Sequence, residues 1–317
     1  VDMSARFPFP IPNGWYGLLY SQELPSNQVV KLSLLGTELV AFRGESGNAH
    51  VLDAFCPHLG AHLGVGGSVV GDAVRCPFHA WEWDGASGAC TRVPYAKRIP
   101  PKARIGAWET LERNGVVLVW YHAEGKPPEF EIPEVDEATS PEWSEPDCHE
   151  FIVKSHNQEM GENAADSAHF RFVHGTLNVP PSEVTEHGPH RISEQKIEMK
   201  TPRGEMNGSI TTNQYGMGFS TTRFTGICET FEIACTTPID AETVRLRYMF
   251  RQPLVDGKPP SGGVAAALIR DLIKQTEEDI PIWEAKVHRA QPLLCDGDGP
   301  IAEYRRWCEQ FYSPERG

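Results

Sequence analysis

The sequence predicts an α+β protein, with an N-terminal antiparallel β domain and a C-terminal domain made of an antiparallel sheet covered by helices. Three observations support this prediction. Short apolar runs separated by turns fill the first part of the chain, β-branched segments fill residues 191–250, and a long segment after them has helical periodicity. A Pro-rich acidic stretch separates the two parts, so we expect domains at 1–122 and 148–317 joined by a linker at 123–147.

The apolar runs of the first domain have the length and composition of β-strands. They are WYGLLY, VVKLSLLG, TELVAFRG, AHVLDAF and VVLVWYH. Turn-forming residues separate neighbouring runs, as at Leu35-Gly36-Thr37 and at Glu45-Ser46-Gly47-Asn48, and such residues favour hairpins. The first domain should therefore be a compact antiparallel β structure.

The second domain begins with a polar, helix-compatible stretch at 157–174, and the β-branched segments follow it. From Val264 to His288 the apolar residues recur at helical spacing; they are Leu268, Ile269, Leu272, Ile273, Ile280, Trp283 and Val287. A long helix should thus cover the second sheet. Pro281 should kink this helix or divide it into two.

Composition and charge exclude several classes of protein. A chain of 317 residues with 40% hydrophobic residues can build real cores. The formal net charge of -14 argues against a general nucleic-acid binder, because a duplex would repel most of such a surface. No apolar run approaches the roughly 20 residues of a membrane span, and residues 1–12 lack the pattern of a secretory signal. We therefore expect no membrane span and a soluble, cytoplasmic protein.

Two Cys-His pairs form the first candidate site. Cys56-x-His58 and Cys76-x2-His79 are separated by seventeen residues. Two thiolates and two imidazoles can hold a [2Fe-2S] cluster, with the cysteines on one iron and the histidines on the other. A tetrahedral zinc site with the same four ligands is the alternative. Zinc fingers, however, pair Cys with Cys and His with His, whereas each pair here supplies one of each.

The pattern Asn163-x2-Asp166-x2-His169-x4-His174 forms the second candidate site. Five residues advance a regular helix by about 140°, so the two imidazoles converge only at a distortion or at a helix end. Gly175 makes a helix end plausible. Two histidines and a carboxylate would form a facial triad, which binds Fe(II) and leaves coordination positions open.

Three acids of the predicted long helix compete for the role of third ligand; they are Glu277, Glu278 and Asp279. Asp279 lies four residues before Trp283, on the buried face, whereas Glu278 points about 100° away and Glu277 lies at the edge of the apolar stripe. A buried carboxylate costs several kcal/mol unless it is paired or bound to metal. Asp279 is therefore the predicted ligand. The alternative is a core acid paired with Arg270 or Arg289.

Together the two motifs resemble those of the α-subunits of Rieske non-heme iron oxygenases. The loops CPHLGA and CPFHAW have the forms C-P-H-x-G-A and C-P-x-H-x-W, and the Asn-x2-Asp-x2-His-x4-His form recurs in the monooxygenase branch. The segments FPIPNGWYGLLYSQEL and DGDGPIAEYRRWCEQFY are similar to a steroid-acting group. This group contains the oxygenase components of 3-ketosteroid 9α-hydroxylases and the cholesterol 7-desaturases.

The resemblance implies two metal cofactors and a role for each motif. The cluster ligands would be Cys56, His58, Cys76 and His79. The ligands of a mononuclear Fe(II) would be His169, His174 and Asp279. Asn163 would lie beside these iron ligands. Electrons from NAD(P)H would arrive through a separate reductase or ferredoxin, because the chain has no recognisable flavin or nicotinamide motif.

Asp166 has an expected role of its own. It precedes His169 by about one helical turn, so its carboxylate is expected to accept a hydrogen bond from the ring of His169. The resemblance further implies a homotrimer. Electrons would cross the subunit boundary from His79 of one chain to the iron of the next through Asp166.

The implied function is that of the terminal oxygenase component of a Rieske-type monooxygenase, which would use O2 to hydroxylate an apolar substrate such as a steroid. One alternative is demethylation or desaturation of another aromatic or polycyclic compound. The others are a ferredoxin-type electron carrier, which would need only the first site, and a non-catalytic protein that binds hydrophobic ligands. Between Arg75 and Arg104 there are six Lys or Arg and two acids. This basic patch would dock an acidic electron donor or would be simply a solvated surface.

Overall fold

The computed structural model describes residues 6–201, 204–258 and 263–314. They form two compact units, of which the first is Trp15–Glu129 and the second contains the residues before Trp15 and those from Phe130 onward. The predicted domains divided the chain differently, at 1–122 and 148–317. Residues before Trp15 join the second unit because they pack there; the ring of Phe9, for example, stacks on Tyr312 with centroids 5.5 Å apart.

The first unit consists of short antiparallel strands. They are β1 (Gly14–Tyr20), β2 (Val29–Leu34), β3 (Thr37–Arg43), β4 (Ala49–Asp53), β5 (Ser68–Val70), β6 (Ala73–Arg75), β7 (Glu82–Asp84), β8 (Cys90–Arg92), β9 (Ala107–Trp108), β10 (Thr110–Arg113) and β11 (Val116–Tyr121). The strand orders of its three sheets are β1-β11-β10, β2-β3-β4-β9 and β5-β6-β7-β8. The two Cys-His pairs lie in the loops that follow β4 and β6.

The second unit is built on one large antiparallel sheet. Its strands are β12 (Asp147–Val153), β13 (Ser182–His187), β14 (His190–Thr201), β15 (Gly204–Tyr215), β16 (Phe219–Thr225), β17 (Thr230–Pro238) and β18 (Val244–Arg251). The strand order is β12-β18-β17-β16-β15-β14-β13. Its helices are α1 (Asp136–Thr139), α2 (Asn157–Gly161), α3 (Ser167–Phe172), α4 (Val264–Ala285) and α5 (Ile301–Cys308). The predicted fold class is confirmed, and α1 lies within the segment that was predicted to be a linker.

Helix α4 packs against the sheet through its apolar face. Trp283 lies in a core cluster with Val153, Val244 and Leu246. The helix is continuous from Val264 to Ala285, so Pro281 does not divide it. A proline deprives the carbonyl four residues earlier of its helical donor. Here Pro281 and Glu277 are both exposed, so water can satisfy that carbonyl.

The polar stretch at 157–174 forms two short helices instead of one regular helix. A 3-10 turn at Glu162–Ala164 follows α2, and α3 begins after Asp166. Asp166 starts this second helix, because its carboxylate accepts hydrogen bonds from the backbone amides of Ala168 at 3.0 Å and His169 at 3.4 Å. Within the described ranges, none of the helices is long and apolar enough to cross a membrane.

Candidate metal centres and substrate cavity

The two Cys-His loops of the first unit have the same backbone conformation. In each loop the amide of the cysteine, Cys56 or Cys76, donates to the carbonyl five residues later at 2.8 Å. The fourth residue after each cysteine is left-handed, with φ of 76° at Gly60 and 54° at Ala80. A left-handed residue at this point closes a tight turn around each Cys-His pair. The loops thus present two equivalent Cys-His pairs.

The side chains of these loops converge. Cys56 is 2% exposed and Cys76 is 3% exposed, and the ring centroids of His58 and His79 are 4.7 Å apart. The buried Nδ1 atom of His79 has no hydrogen-bond partner among the described residues. Burial, and then the neighbouring Cys76, raise the pKa of Cys56 to about 11. A thiol this reluctant to ionise becomes a thiolate when a cation compensates the charge. The four side chains therefore fit a [2Fe-2S] cluster.

Aromatic neighbours fix the orientation of His58. The indole of Trp81 stacks on His58 with centroids 4.5 Å apart and planes 11° apart. Its Nε1 donates to the hydroxyl of Tyr95 at 2.7 Å, which fixes the indole in turn. Sequence reasoning did not find Tyr95, because nothing in its local sequence connects it with the loop of Cys76.

In the second unit, three predicted iron ligands come together. Ligand atoms of His169, His174 and Asp279 all lie within 4.8 Å of one another, and His174 Nε2 is 3.3 Å from Asp279 Oδ1. The expected helix end is present, because α3 ends at Phe172 and Gly175 has a φ of 71°. His174 therefore lies beyond the helix, and the two rings converge with centroids 5.2 Å apart.

Asp279 is 6% exposed and projects from the middle of the buried face of α4. The alternative partners Arg270 and Arg289 do not pair with it in the described part of the chain. Its carboxylate instead contacts His174, and it accepts a hydrogen bond from Asn163 Nδ2 at 2.9 Å. The same amide nitrogen lies 3.1 Å from His169 Nε2. Asn163 thus touches two of the three predicted ligands, and the donor set suits Fe(II).

The structure corrects the expected contact between Asp166 and His169. The Nδ1 atom of the His169 ring contacts the backbone carbonyl of Asp166, not its carboxylate. The carboxylate is aimed elsewhere because it caps the N-terminus of α3. When Nδ1 donates to the carbonyl, the Nε2 atom of His169 is left to face the metal position.

Glu278 also lies differently from the prediction that it points away from the site. Its Oε2 is 3.2 Å from His174 Nδ1, and its Oε1 is 3.3 Å from Lys274 Nζ. The hydrogen bond with His174, followed by that with Lys274, lowers the pKa of Glu278. The helical angle does turn Glu278 away from Asp279, but its long side chain reaches back to the histidine. Glu278 therefore orients a predicted ligand from outside the triad.

A cavity of about 210 Å³ adjoins the three predicted iron ligands. Its walls are the inward-facing side chains of β15, β16, β17 and β18, together with residues of α2, α3 and α4. Among the aromatic and apolar residues that line it are Phe170, Met217, Phe219, Phe224, Leu246, Leu272 and Trp283. Polar side chains line the cavity as well, so it is suited to an apolar molecule that also carries polar groups.

One acid in the cavity wall is far from the triad motif in sequence. Glu232, on β17, is 8% exposed, and burial raises its pKa to about 8 although Thr222 hydrogen-bonds the carboxyl group. Its signal in the sequence is a lone acid in the apolar strand TFEIACTTP. That signal could not show whether Glu232 faces solvent or the interior.

Two known families match the chain and together cover most of it. The Rieske [2Fe-2S] domain matches residues 14–104, and the 3-ketosteroid 9α-hydroxylase C-terminal domain matches residues 119–312. The chain belongs to the Rieske non-heme iron oxygenases. The oxygenase therefore uses a [2Fe-2S] cluster and a mononuclear iron, and its electrons come from a separate reductase.

Characterised relatives resemble the oxygenase over nearly its whole length. Cholesterol 7-desaturase nvd of Xenopus laevis is 34% identical, over 98% of this chain and 74% of that protein. The oxygenase component of 3-ketosteroid-9-alpha-monooxygenase from Rhodococcus rhodochrous is 33% identical, over 94% of this chain and 82% of that protein. Among solved structures, dicamba monooxygenase bound to dicamba has a TM-score of 0.76 at 18% identity, covering 95% of this chain and 97% of that one. The structural likeness shows the fold.

Removal of the Glu278 carboxylate should weaken iron binding by the oxygenase. We expect Glu278→Ala to lower the affinity for mononuclear iron by roughly 10- to 100-fold, because His174 loses the acceptor at its Nδ1. Titration with a chelator, followed by iron analysis, measures this change. Glu277→Ala is the matched control, since Glu277 is exposed on the same helix. Equal iron affinity in Glu278→Ala and Glu277→Ala would contradict the orienting role.

Glu232→Gln should stabilise the oxygenase increasingly as the pH rises. The unfolded chain ionises Glu232 above pH 4.5, whereas the folded protein keeps it protonated up to about pH 8. Wild-type protein therefore loses stability between these pH values relative to the amide variant, by up to about 3 kcal/mol at pH 7. Thermal melting of both proteins at pH 5 and pH 7.5 measures the effect. A melting difference that does not change with pH would contradict the raised pKa.

Proposed function

We propose that the protein is the terminal oxygenase component of a monooxygenase system that oxidises a steroid or a similar apolar polycyclic compound. The observation that carries the proposal is the cavity, because His169, His174 and Asp279 lie in its wall beside a group of apolar and aromatic side chains. The curated relatives act on cholesterol and on 3-ketosteroids, as their names state, and they align over nearly the whole chain. Both lines of support favour the same class of substrate.

The assignment of ligands is part of this proposal. Cys56, His58, Cys76 and His79 would hold the cluster, and His169, His174 and Asp279 would hold the iron. The bound iron would supply the O2-activating chemistry. The backbone carbonyl of Asp166 and the carboxylate of Glu278 hold the outer ring nitrogens of the two histidines, and Asn163 holds the free oxygen of Asp279. These contacts fix the triad before substrate enters.

The same site can insert or withhold the oxygen atom. Hydroxylation converts R–H, O2, two electrons and two protons into R–OH and water, whereas desaturation removes two hydrogens and yields two waters. We propose hydroxylation as the primary outcome. Desaturation is the second candidate, because a cholesterol 7-desaturase is as similar to the chain as a 3-ketosteroid monooxygenase is.

We also propose a homotrimer in which electrons cross between neighbouring chains. Each unit presents exposed apolar side chains beside its metal site: Leu59 and Phe78 are 64% and 61% exposed in the cluster loops, and Phe172 is 79% exposed at the end of α3. Exposed apolar patches beside functional residues indicate contact surfaces. Pairing of these surfaces between chains would place Asp166 between His79 of one chain and the iron site of the next.

The electron donor would bind from the cytoplasm, where NAD(P)H is available. The exposed cations Lys97, Arg98 and Lys102 offer a docking surface for an acidic reductase or ferredoxin. The cytoplasmic location and the docking surface are both part of the proposed function.

The test of the proposed function is a substrate screen with a surrogate reductase, NADH and O2. We expect a 3-ketosteroid or cholesterol to be oxidised, with product formed in proportion to the O2 consumed. Mass spectrometry of the product distinguishes a gain of one oxygen from a loss of two hydrogens. Oxidation of small aromatic acids alone, with every steroid left unchanged, would overturn the proposed substrate class.

A further inference from the structure

We propose that Glu232 hydrogen-bonds an oxygen atom of the substrate and thereby sets which carbon of the substrate faces the iron site. This inference rests on the proposed function and deepens it. It specifies a substrate that has a carbonyl or hydroxyl group at some distance from the carbon that is oxidised. Glu232 would thus be a specificity-determining residue, separate from the metal ligands.

Glu232 lies in a row of polar side chains that crosses the sheet. In the strand register Thr212 of β15 faces Thr222 of β16, and Thr222 faces Glu232 of β17. The hydroxyls of Thr212 and Thr222 are 3.2 Å apart, and Thr222 hydrogen-bonds the Glu232 carboxyl group. All three residues line the cavity. A connected polar row therefore crosses the sheet wall of the cavity.

The surroundings of the cavity favour a neutral carboxyl group at Glu232. None of the described residues lining the cavity is Lys or Arg, so no ammonium or guanidinium group faces Glu232 from this space. The other titratable residues that line the cavity are Tyr248 of β18, Tyr304 of α5, Asp279 of α4, His169 of α3 and His174 just beyond α3. Burial raises the pKa of Glu232 to about 8, so its carboxyl group is neutral at pH 7. A neutral carboxyl group offers one O–H donor as well as acceptors.

Glu232 and the predicted iron ligands lie on different elements of the second unit. Tyr248 interacts electrostatically with both Glu232 and Asp279, and its hydroxyl is 3.5 Å from Thr276 Oγ1 on α4. Glu232 lies on β17 and Asp279 on α4, so the two carboxyl groups line the cavity from different elements, the sheet and the helix. Glu232 is not among the side chains that form the metal site. A substrate held at Glu232 would present another part of its skeleton to the triad, and this anchoring would fix the carbon that reacts.

A neutral carboxyl group in a substrate cavity also discriminates between substrates. A buried hydrogen-bonding group rejects an analogue that lacks the matching oxygen, because the group is then left without a partner. A carboxyl group that only fills the core and bonds Thr222 would show no such dependence on the substrate. The two roles therefore predict different kinetic results.

The experiment compares wild type, Glu232→Gln and Glu232→Leu on four steroids, which carry an oxygen at both ends of the ring system, at either end alone, or at neither. We expect Glu232→Leu to raise KM about tenfold or more for compounds with the oxygen at one particular end, and to yield a mixture of product positions. It should leave KM unchanged for compounds without that oxygen. Glu232→Gln keeps a donor and an acceptor, so its KM should stay within about threefold of wild type.

The outcomes separate the inference from the proposed function. An equal change in KM for all four steroids, or no change for any, overturns the role of Glu232 while the oxygenase function stands. Failure of the wild type to oxidise any steroid overturns the substrate class and this inference with it. If Glu232→Leu does not fold, the KM for a ketone is measured against pH in wild type and Glu232→Gln. A rise above about pH 8 in wild type alone supports the inference, and identical profiles overturn it.

Discussion

Asp279→Ala should abolish binding of the mononuclear iron and lower turnover by more than about a hundredfold, while the cluster remains intact. Loss of a partner outside the triad already costs 10- to 100-fold in metal affinity, and loss of a ligand should cost more. The structure supports this expectation because the carboxylate lies 3.3 Å from His174 Nε2 and is 6% exposed. In Asp279→Ala the side chains around position 279 would surround a water-accessible cavity.

Iron analysis and the visible spectrum of the cluster measure the two metal sites of Asp279→Ala separately. Glu277→Ala provides the control, because Glu277 is an exposed acid two positions away on the same helix. It should keep both metals and full turnover. Retention of the mononuclear iron by Asp279→Ala would show that the triad is assigned wrongly.

Asp166→Asn should keep the cluster, the iron and the proposed trimer, yet lose most of its turnover, because the carboxylate proposed to bridge the two metal sites is removed. Asparagine caps helices about as well as aspartate, so α3 should start as before. The backbone carbonyl that contacts His169 is not changed by the substitution. The carboxylate charge is therefore removed without disturbing the ligand.

Single-turnover kinetics and metal analysis distinguish the two possible roles of Asp166. Reduced Asp166→Asn protein should re-oxidise its cluster slowly when substrate and O2 are added. Full activity in an iron-loaded variant would defeat the bridging role. Loss of iron with normal electron transfer would instead show that the carboxylate serves the iron site alone.

The sequence was informative wherever a local pattern determines geometry. The apolar stripe of the long helix selected Asp279 from three adjacent acids, and Gly175 indicated the helix end that lets His169 and His174 converge. The cluster loops were recognisable because the four predicted ligands occupy two short segments. In each case the deciding interactions lie within a few residues of one another along the chain.

The sequence was less informative where side-chain length or distant pairing decides the contact. A helical angle describes the direction of the Cα–Cβ bond, so it could not show that the long side chain of Glu278 reaches His174. Asp166 was expected to use its carboxylate on His169, but the unsatisfied amides at the start of α3 compete for that group. The role of Glu232 depends on its register with Thr222, which no local pattern reveals.

One chain of this oxygenase should hold both a [2Fe-2S] cluster and a mononuclear iron. The measurement that tests it most directly is the iron, labile sulfide and zinc content of protein produced with ample iron, together with the EPR spectrum of the reduced form. We expect about three irons and two sulfides per chain and the low-field EPR signal of a histidine-ligated cluster. A colourless protein with stoichiometric zinc and no labile sulfide would contradict it.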